Sequence, residues 1–192
     1  MAIRLRRVIR RAWLPVVVRA WPLARLWYRA WGLPLEGEPG DVIVYFAYGS
    51  NMHDSAFLER RRMRPSDWRV GRIKHYRLRF NLDGRPPGRS APANISSAEG
   101  AEVWGVLYRI TRRELVRLNA SEGVPGWRYR PVWLDAEDKQ GIGFTAVTYI
   151  ADGDERDGKP SLRYITLLRE GATAHGLPAK WIAFLEGVEH AQ

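Results

Sequence analysis

The chain has 192 residues, 45% of them apolar, which is enough for one domain with a sizeable core. It contains no cysteine, and this excludes disulfides, thiolate nucleophiles and cysteine-bound zinc. The formal net charge is +10, but residues 1–40 hold eight arginines and two glutamates, so six of the ten surplus charges sit there and the remainder of the chain is only mildly basic.

Residues 1–40 read as a basic amphipathic extension that ends in a linker. Leu5, Val8, Ile9, Ala12 and Trp13 share one helical face, with Arg4, Arg7, Arg10 and Arg11 mostly on the other. Pro15 and Pro22 interrupt the pattern, which resumes at Leu23, Leu26, Trp27, Ala30 and Trp31, flanked by Arg25 and Arg29. Arginine opposite tryptophan and leucine suits the headgroup layer of an anionic membrane. The longest uncharged run, Ala12 to Val18, is too short to span a bilayer, which needs about 20 apolar residues. Two readings carry equal weight: peripheral contact of residues 1–31 with the inner membrane surface, or an arm packed on its own domain or on a partner chain. A twin-arginine signal and a transit peptide fit less well, because Arg19 breaks the apolar run and Ser and Thr are lacking. Binding to nucleic acid through the arm ranks below the membrane surface. Gly32 to Gly40 reads as the linker.

The expected domain spans 41–192 and mixes helices with strands. Val42-Ile43-Val44 predicts a short buried strand that stops at the turn Gly49-Ser50-Asn51. Asp54 to Met63 predicts a short helix. Tyr76, Leu78, Phe80 and Leu82 alternate with polar residues and predict a half-buried strand, then Asp83 to Pro92 a loop. Glu102 to Ile110 is a strong strand. Thr111-Arg112-Arg113-Glu114 is a capping box, so a helix runs from there to about Ala120. Strands are predicted at Tyr129 to Ala136 and Gly143 to Ile150, and helices from Ser161 to about Thr173 and from Pro178 to Val188.

A strand ending in Gly-Ser-Asn frees main-chain N–H groups, a common way to cradle an anion, although most such turns only reverse the chain. Glu122 stands just past the predicted helix, with Gly123 able to end that helix in a left-handed conformation. A carboxylate there can be lowered beside Trp127 or Tyr129, where partial burial favours general-base work, but a Glu after a helix is usually solvated. Tyr48 and Tyr164 suit either a pocket or plain core packing. Ser50 has no histidine with a clear partner, which argues against a serine hydrolase. His53, His75, His175 and His190 fall at no metal-ligand spacing, so no metal is expected.

Four ordered blocks resemble the gamma-glutamylcyclotransferase family and cover about three quarters of the chain. They are Tyr45-Phe46-Ala47-Tyr48-Gly49-Ser50-Asn51-Met52; Ala93-Asn94-Ile95 with residues 100–108; residues 118–124 followed by Tyr129; and residues 160–164 followed by Gly171-Ala172 and His175-Gly176-Leu177-Pro178. Asn119 stands where the family usually has Asp, and Asn94 where it often has Thr. The first 40 residues have no counterpart in the family's core.

The resemblance implies an α+β fold, a small mixed β-barrel surrounded by helices, with the amphipathic extension added at its N-terminus. It implies intramolecular attack of a γ-glutamyl α-amine on its own γ-carbonyl, releasing 5-oxoproline and a free amine or amino acid without a cofactor. Glu122 would be the catalytic residue, and Tyr45, Phe46, Ala47, Tyr48, Gly49, Ser50, Asn51 and Tyr164 would bind the substrate. The Asn51-Met52 ending favours γ-glutamyl amino acids or a related amide over glutathione or γ-glutamylamines. Removal of a γ-glutamyl blocking group in biosynthesis is a further candidate role. The rival from another class is a membrane-associated binding module that kept the fold and lost turnover. A monomer or homodimer in the cytoplasm is expected.

Overall fold

The computed structural model describes residues 21–30, 36–84, 90–124 and 128–191. Five β-strands make a closed barrel in the order β1-β3-β2-β4-β5. They are β1 (Val42–Ala47), β2 (Asp67–Arg79), β3 (Asn94–Thr111), β4 (Arg130–Asp138) and β5 (Gly143–Ile150). β1 pairs antiparallel with β3 along its whole length, from Val42 opposite Thr111 to Ala47 opposite Val106. Its other edge closes the barrel in parallel with β5, Val44 opposite Ala146 and Tyr45 opposite Val147.

The apolar residues of these strands fill the interior: Phe46, Ile95, Val103, Val106 and Val147 are fully buried. Each such side chain contributes roughly 1.5–3 kcal/mol of hydrophobic stabilisation. β2 departs from expectation. It begins nine residues before Tyr76, at Asp67, and ends at Arg79, so that Phe80 and Leu82 lie beyond it. Its first half shows no clean alternation, because Asp67, Trp68 and Arg69 are all exposed. The pairing with β3 also shifts between Lys74 and Tyr76, where His75 has φ 61°, and this bulge resets the inside–outside phase.

Four helices pack outside the barrel: α1 (Trp21–Ala30), α2 (Arg112–Glu122), α3 (Leu162–Ala174) and α4 (Ala179–Glu186). α2 starts with the expected capping box. The Thr111 hydroxyl accepts from Glu114 N–H at 3.2 Å, while the Glu114 carboxylate accepts from Thr111 N–H at 2.9 Å. That carboxylate also accepts from Arg64 N–H at 2.7 Å, tying the preceding loop to the helix start. α2 ends at Gly123, which is left-handed (φ 77°, ψ 25°), as its position after the helix anticipated. The segment expected as a helix over 54–63 is instead one π turn, Ser55–Arg60. α3 comes close to the turn after β1 because Gly171 has no side chain; a Cβ there would lie 2.7 Å from the Met52 carbonyl carbon.

Within α1, Trp21, Ala24 and Tyr28 are buried and form a small apolar cluster with Val116 of α2. The spacing of three then four residues lines them on one face. Leu23 and Leu26, both on the expected apolar face, are exposed. For residues 21–30 the structure shows packing on the chain's own domain. Residues 1–20 and 31–35 lie outside the described residues.

Candidate active site

A cleft enclosing about 320 Å³, partly open to solvent, lies where the turn after β1 meets the end of α2. The C-terminal end of α2 brings Glu122 into it. Glu122 is the last helical residue rather than one beyond the helix, and its side chain is 13% exposed. A carboxylate at a helix C-terminus faces the unfavourable end of the backbone dipole. Here a cation offsets that placement, because an Arg61 terminal nitrogen lies 2.7 Å from Glu122 Oε1.

Arg61 follows the π turn directly, and single π turns recur at functional positions. Its Nε donates to Asn51 Oδ1 at 2.5 Å, so one guanidinium grips two acceptors. Asn51 Nδ2 lies 3.0 Å from the same Glu122 oxygen and 2.7 Å from the Tyr45 hydroxyl. Arg61, Asn51, Glu122 and Tyr45 thus form one closed hydrogen-bonded group.

The opposite wall is neutral. The Tyr164 hydroxyl accepts from Ala93 N–H at 3.1 Å. Tyr129 donates to the Ala93 carbonyl at 2.8 Å. Tyr48 donates to the Tyr149 carbonyl, and Tyr149 donates to Asn119 Oδ1. Burial, then the proximity of other phenols and of Glu122, pushes the Tyr48 and Tyr129 hydroxyls well above their ordinary range; burial likewise raises Tyr45, Tyr149 and Tyr164. These phenols are therefore neutral hydrogen-bonding groups rather than bases at neutral pH.

Of the residues singled out in the sequence, Tyr45, Tyr48, Gly49, Ser50, Asn51, Glu122 and Tyr164 all line the cleft. Phe46 and Ala47 do not. Phe46 is fully buried in the barrel, its ring 6.4 Å from that of Tyr48, and its carbonyl accepts from Thr148. Successive strand residues face opposite sides, so the neighbour of Tyr45 is committed to the core. Tyr129 stands at the cleft, while Trp127 lies outside the described residues. Arg61 and Tyr149 are cleft residues the sequence reading passed over. Arg61 lay in the segment predicted as a short helix over Asp54 to Met63, and Tyr149 in the strand predicted over Gly143 to Ile150, with no signal in either that set the residue apart.

The histidines are scattered. His53 pairs with Glu170 at 3.1 Å, His75 with Glu99 at 3.1 Å, and His175 meets the Tyr108 hydroxyl at 3.1 Å. Among the described residues no cluster of histidine and carboxylate side chains could hold a metal ion. Nor, among them, is any helix long and apolar enough to cross a membrane.

A closed five-stranded barrel with a half-buried carboxylate at a cleft beside it is the arrangement to compare with known proteins. Residues 102–185 match the AIG2-like family. The chain is 30% identical to gamma-glutamylcyclotransferase of Bos taurus over 81% of its own length and 83% of that protein. It is 31% identical to the Mus musculus enzyme of the same name, over 80% and 82%. A solved structure of a gamma-glutamyl cyclotransferase superposes with a TM-score of 0.70 at 25% identity, covering 79% of this chain and 90% of that one. The chain belongs to the gamma-glutamylcyclotransferase family.

Proposed function

We propose that the cleft cyclises a γ-glutamyl amino acid, or a related γ-glutamyl amide, to 5-oxoproline and a free amine. The observation that carries this reading is the Glu122–Arg61–Asn51 group, joined through Asn51 to the Gly49-Ser50-Asn51 turn and lining one small cavity with it. A carboxylate there can serve as a base while the turn offers main-chain donors to an anion. The names of the similar enzymes point to the same chemistry.

In this scheme the α-nitrogen of the γ-glutamyl group attacks its own γ-carbonyl carbon. The new C–N bond closes a five-membered lactam, and the old amide C–N bond breaks. The α-nitrogen loses two protons and the departing amine gains two, so no water, oxidant or cofactor enters the balance. Glu122 carries a proton from the α-ammonium towards the leaving nitrogen. Backbone N–H groups of the 49–51 turn hold the substrate carboxylate or the developing oxyanion. Tyr48, Tyr129 and Tyr164 shape the wall and keep amine and carbonyl in reach, the condition under which effective molarities of about 10⁵ M become accessible.

The test is 5-oxoproline release by the full chain across γ-glutamyl amino acids, γ-glutamyl amines and glutathione. Turnover on the amino acids, with the amines and glutathione slower, is the expected pattern. Release from none of them by a folded sample would sink the reading.

We also infer peripheral membrane contact through residues 1–31. Exposed Leu23 and Leu26 next to exposed Arg25 and Arg29 on α1 support it. Co-sedimentation with phosphatidylserine vesicles, lost with neutral phosphatidylcholine and weakened by Leu26→Asp, is the expected result. Equal sedimentation with both lipids would refute it.

A further inference from the structure

Each hydrogen bond among Arg61, Asn51, Glu122 and Tyr45 has a direction that the charged members fix. A guanidinium only donates, so the Asn51 atom 2.5 Å from Arg61 Nε is the amide oxygen. An ionised carboxylate only accepts, so the Asn51 atom 3.0 Å from Glu122 Oε1 is the amide nitrogen. Two independent partners therefore impose the same orientation on the amide. Nδ2 carries two hydrogens, one for Glu122 and one for the Tyr45 hydroxyl oxygen 2.7 Å away. Tyr45 thus accepts in this bond and keeps its own O–H proton. Among the described residues no other group is hydrogen-bonded to the Tyr45 hydroxyl.

Tyr45 is 3% exposed and lines the cleft. Its ring lies 5.8 Å from the rings of both Phe57 and Tyr149, which hold it in place. The other cleft phenols are engaged differently. Tyr48 and Tyr129 direct their protons to the Tyr149 and Ala93 carbonyls, and Tyr149 directs its own to Asn119 Oδ1. Tyr164 accepts from Ala93 N–H and stands by Gly49, where a Cβ would lie 3.2 Å from its hydroxyl. Of these phenols only Tyr45 is bonded to the Asn51 nitrogen that also holds Glu122. A buried hydroxyl proton without a protein acceptor is unfavourable. At the wall of a cleft it is a donor already in place for a bound molecule.

Cyclisation needs such a donor at a defined place. The nitrogen that gives up its protons becomes bonded to the carbon whose oxygen takes up charge, so base and oxyanion donor must converge on neighbouring atoms. We propose that Tyr45 is a catalytic residue, its hydroxyl donating to the oxyanion that forms on the γ-carbonyl oxygen. The assignment rests on the γ-glutamyl reading of the cleft. As the α-nitrogen bonds to the γ-carbon, the C=O π pair moves onto oxygen and is held by the Tyr45 O–H; the phenol keeps its proton throughout. When that pair returns, the bond to the leaving amine breaks. Burial raises the Tyr45 hydroxyl, so the group stays protonated and able to donate. The main-chain N–H groups of the 49–51 turn are then left to the substrate α-carboxylate.

The experiment measures 5-oxoproline release and urea unfolding for the full-length wild type, for Tyr45→Phe, and for the chain carrying at position 45 a tyrosine fluorinated at both carbons beside the hydroxyl. The substrate is the γ-glutamyl amino acid that the wild type turns over fastest. Tyr45→Phe should lower kcat about 100-fold with KM little changed, the loss seen when one oxyanion donor is removed. Near-normal kcat in a folded Tyr45→Phe would overturn the proposal. Phe also takes away the acceptor for Asn51, and the fluorinated protein separates the two roles. Fluorine makes the O–H a stronger donor and the oxygen a weaker acceptor. Measured at about pH 6, the fluorinated phenol stays neutral in its buried site. A donor to the oxyanion should then hold or raise kcat, whereas a phenol that only anchors Asn51 should lower it. A kcat below that of the wild type in the fluorinated protein would overturn the proposal even where Tyr45→Phe is inactive. The wild type itself tells this failure from that of the cleft reading. No 5-oxoproline from any donor sinks both, while normal release with a dispensable Tyr45 hydroxyl sinks only the assignment of Tyr45.

Discussion

The two walls of the cleft are built on different principles. One is ionic: Arg61 and Glu122 meet at 2.7 Å, with side chains only 14% and 13% exposed, and Asn51 bridges them. The other is neutral, made of the Tyr48, Tyr129 and Tyr164 phenols, each bound to a backbone group. A half-buried charge pair is costly to assemble and contributes little stability over an apolar pair of the same shape. Its retention at the mouth of a cavity therefore points to chemistry. The phenols, in contrast, satisfy main-chain groups that would otherwise be buried without partners, so they hold the walls apart at a set distance. On the proposed mechanism one wall moves a proton and the other maintains shape.

Removing the proton carrier should have the largest effect. Glu122→Gln keeps the size of the side chain and an oxygen for Arg61. It should lower kcat roughly 10³-fold, within the span that general acid–base groups supply, and leave the thermal midpoint near that of the wild type. Near-normal turnover in a folded sample would remove Glu122 from the mechanism. Arg61→Ala should cost less, roughly 10- to 100-fold in kcat/KM, because the carboxylate survives but Asn51 and Glu122 lose the group that aligns them. Arg61→Lys should recover little, since a single ammonium cannot reach both acceptors with the fixed fork of a guanidinium. Equal activity in the Lys variant would show that charge alone is what Arg61 provides.

The neutral wall should respond differently. Tyr164→Phe strips Ala93 N–H of its acceptor. A buried donor left unpaired costs about 1–3 kcal/mol. Stability should therefore drop with Tyr164→Phe, where Glu122→Gln leaves it unchanged, and kcat/KM should fall about tenfold or less, the effect on the catalytic step being secondary to the shape of the site. Urea unfolding alongside steady-state kinetics separates the two walls. A variant that lost turnover as completely as Glu122→Gln, without losing stability, would make Tyr164 a chemical participant.

Much of this division was readable beforehand, though unevenly. The turn at 49–51, the capping box at Thr111 and the glycine stop at Gly123 are local devices. They depend on neighbours in sequence, and the structure shows each where the residues place it. Glu122 was singled out by the family resemblance, since by position alone a Glu at the end of a helix is usually solvated. Arg61 was not, since its partner lies 61 residues away and the reach across depends on a π turn with no distinct periodicity. The first half of β2 was missed for a related reason. Its pairing with β3, Asp67 opposite Arg109 to Val70 opposite Val106, depends on residues remote in the chain rather than on a clean alternation of its own. In α1 the apolar residues were visible, but which of them turned inward depended on Val116, remote in the chain.

The smallest expected effect concerns pH, and it isolates the neutral wall from the ionic one. Burial, first among the causes, raises the Tyr45, Tyr48, Tyr129, Tyr149 and Tyr164 hydroxyls above their value in the unfolded chain, which is about 10. A group whose folded value is raised adds stability that is fully present below the unfolded value and is lost as pH rises past it. The unfolded chain can then ionise these phenols while the folded chain holds them neutral, so stability should be level between pH 7 and 9 and decline above 10. Each such phenol contributes a slope of at most about 1.4 kcal/mol per pH unit in that range. Tyr164→Phe should therefore start lower at pH 7 yet fall less steeply between pH 10 and 11 than the wild type, whereas Arg61→Ala should keep nearly the full wild-type slope. Urea midpoints at pH 7, 9, 10 and 11 for the three proteins check this. An identical decline in the wild type and Tyr164→Phe would mean that this phenol titrates as freely in the folded chain as in the unfolded one, and the neutral wall would lose the member that holds Ala93 N–H.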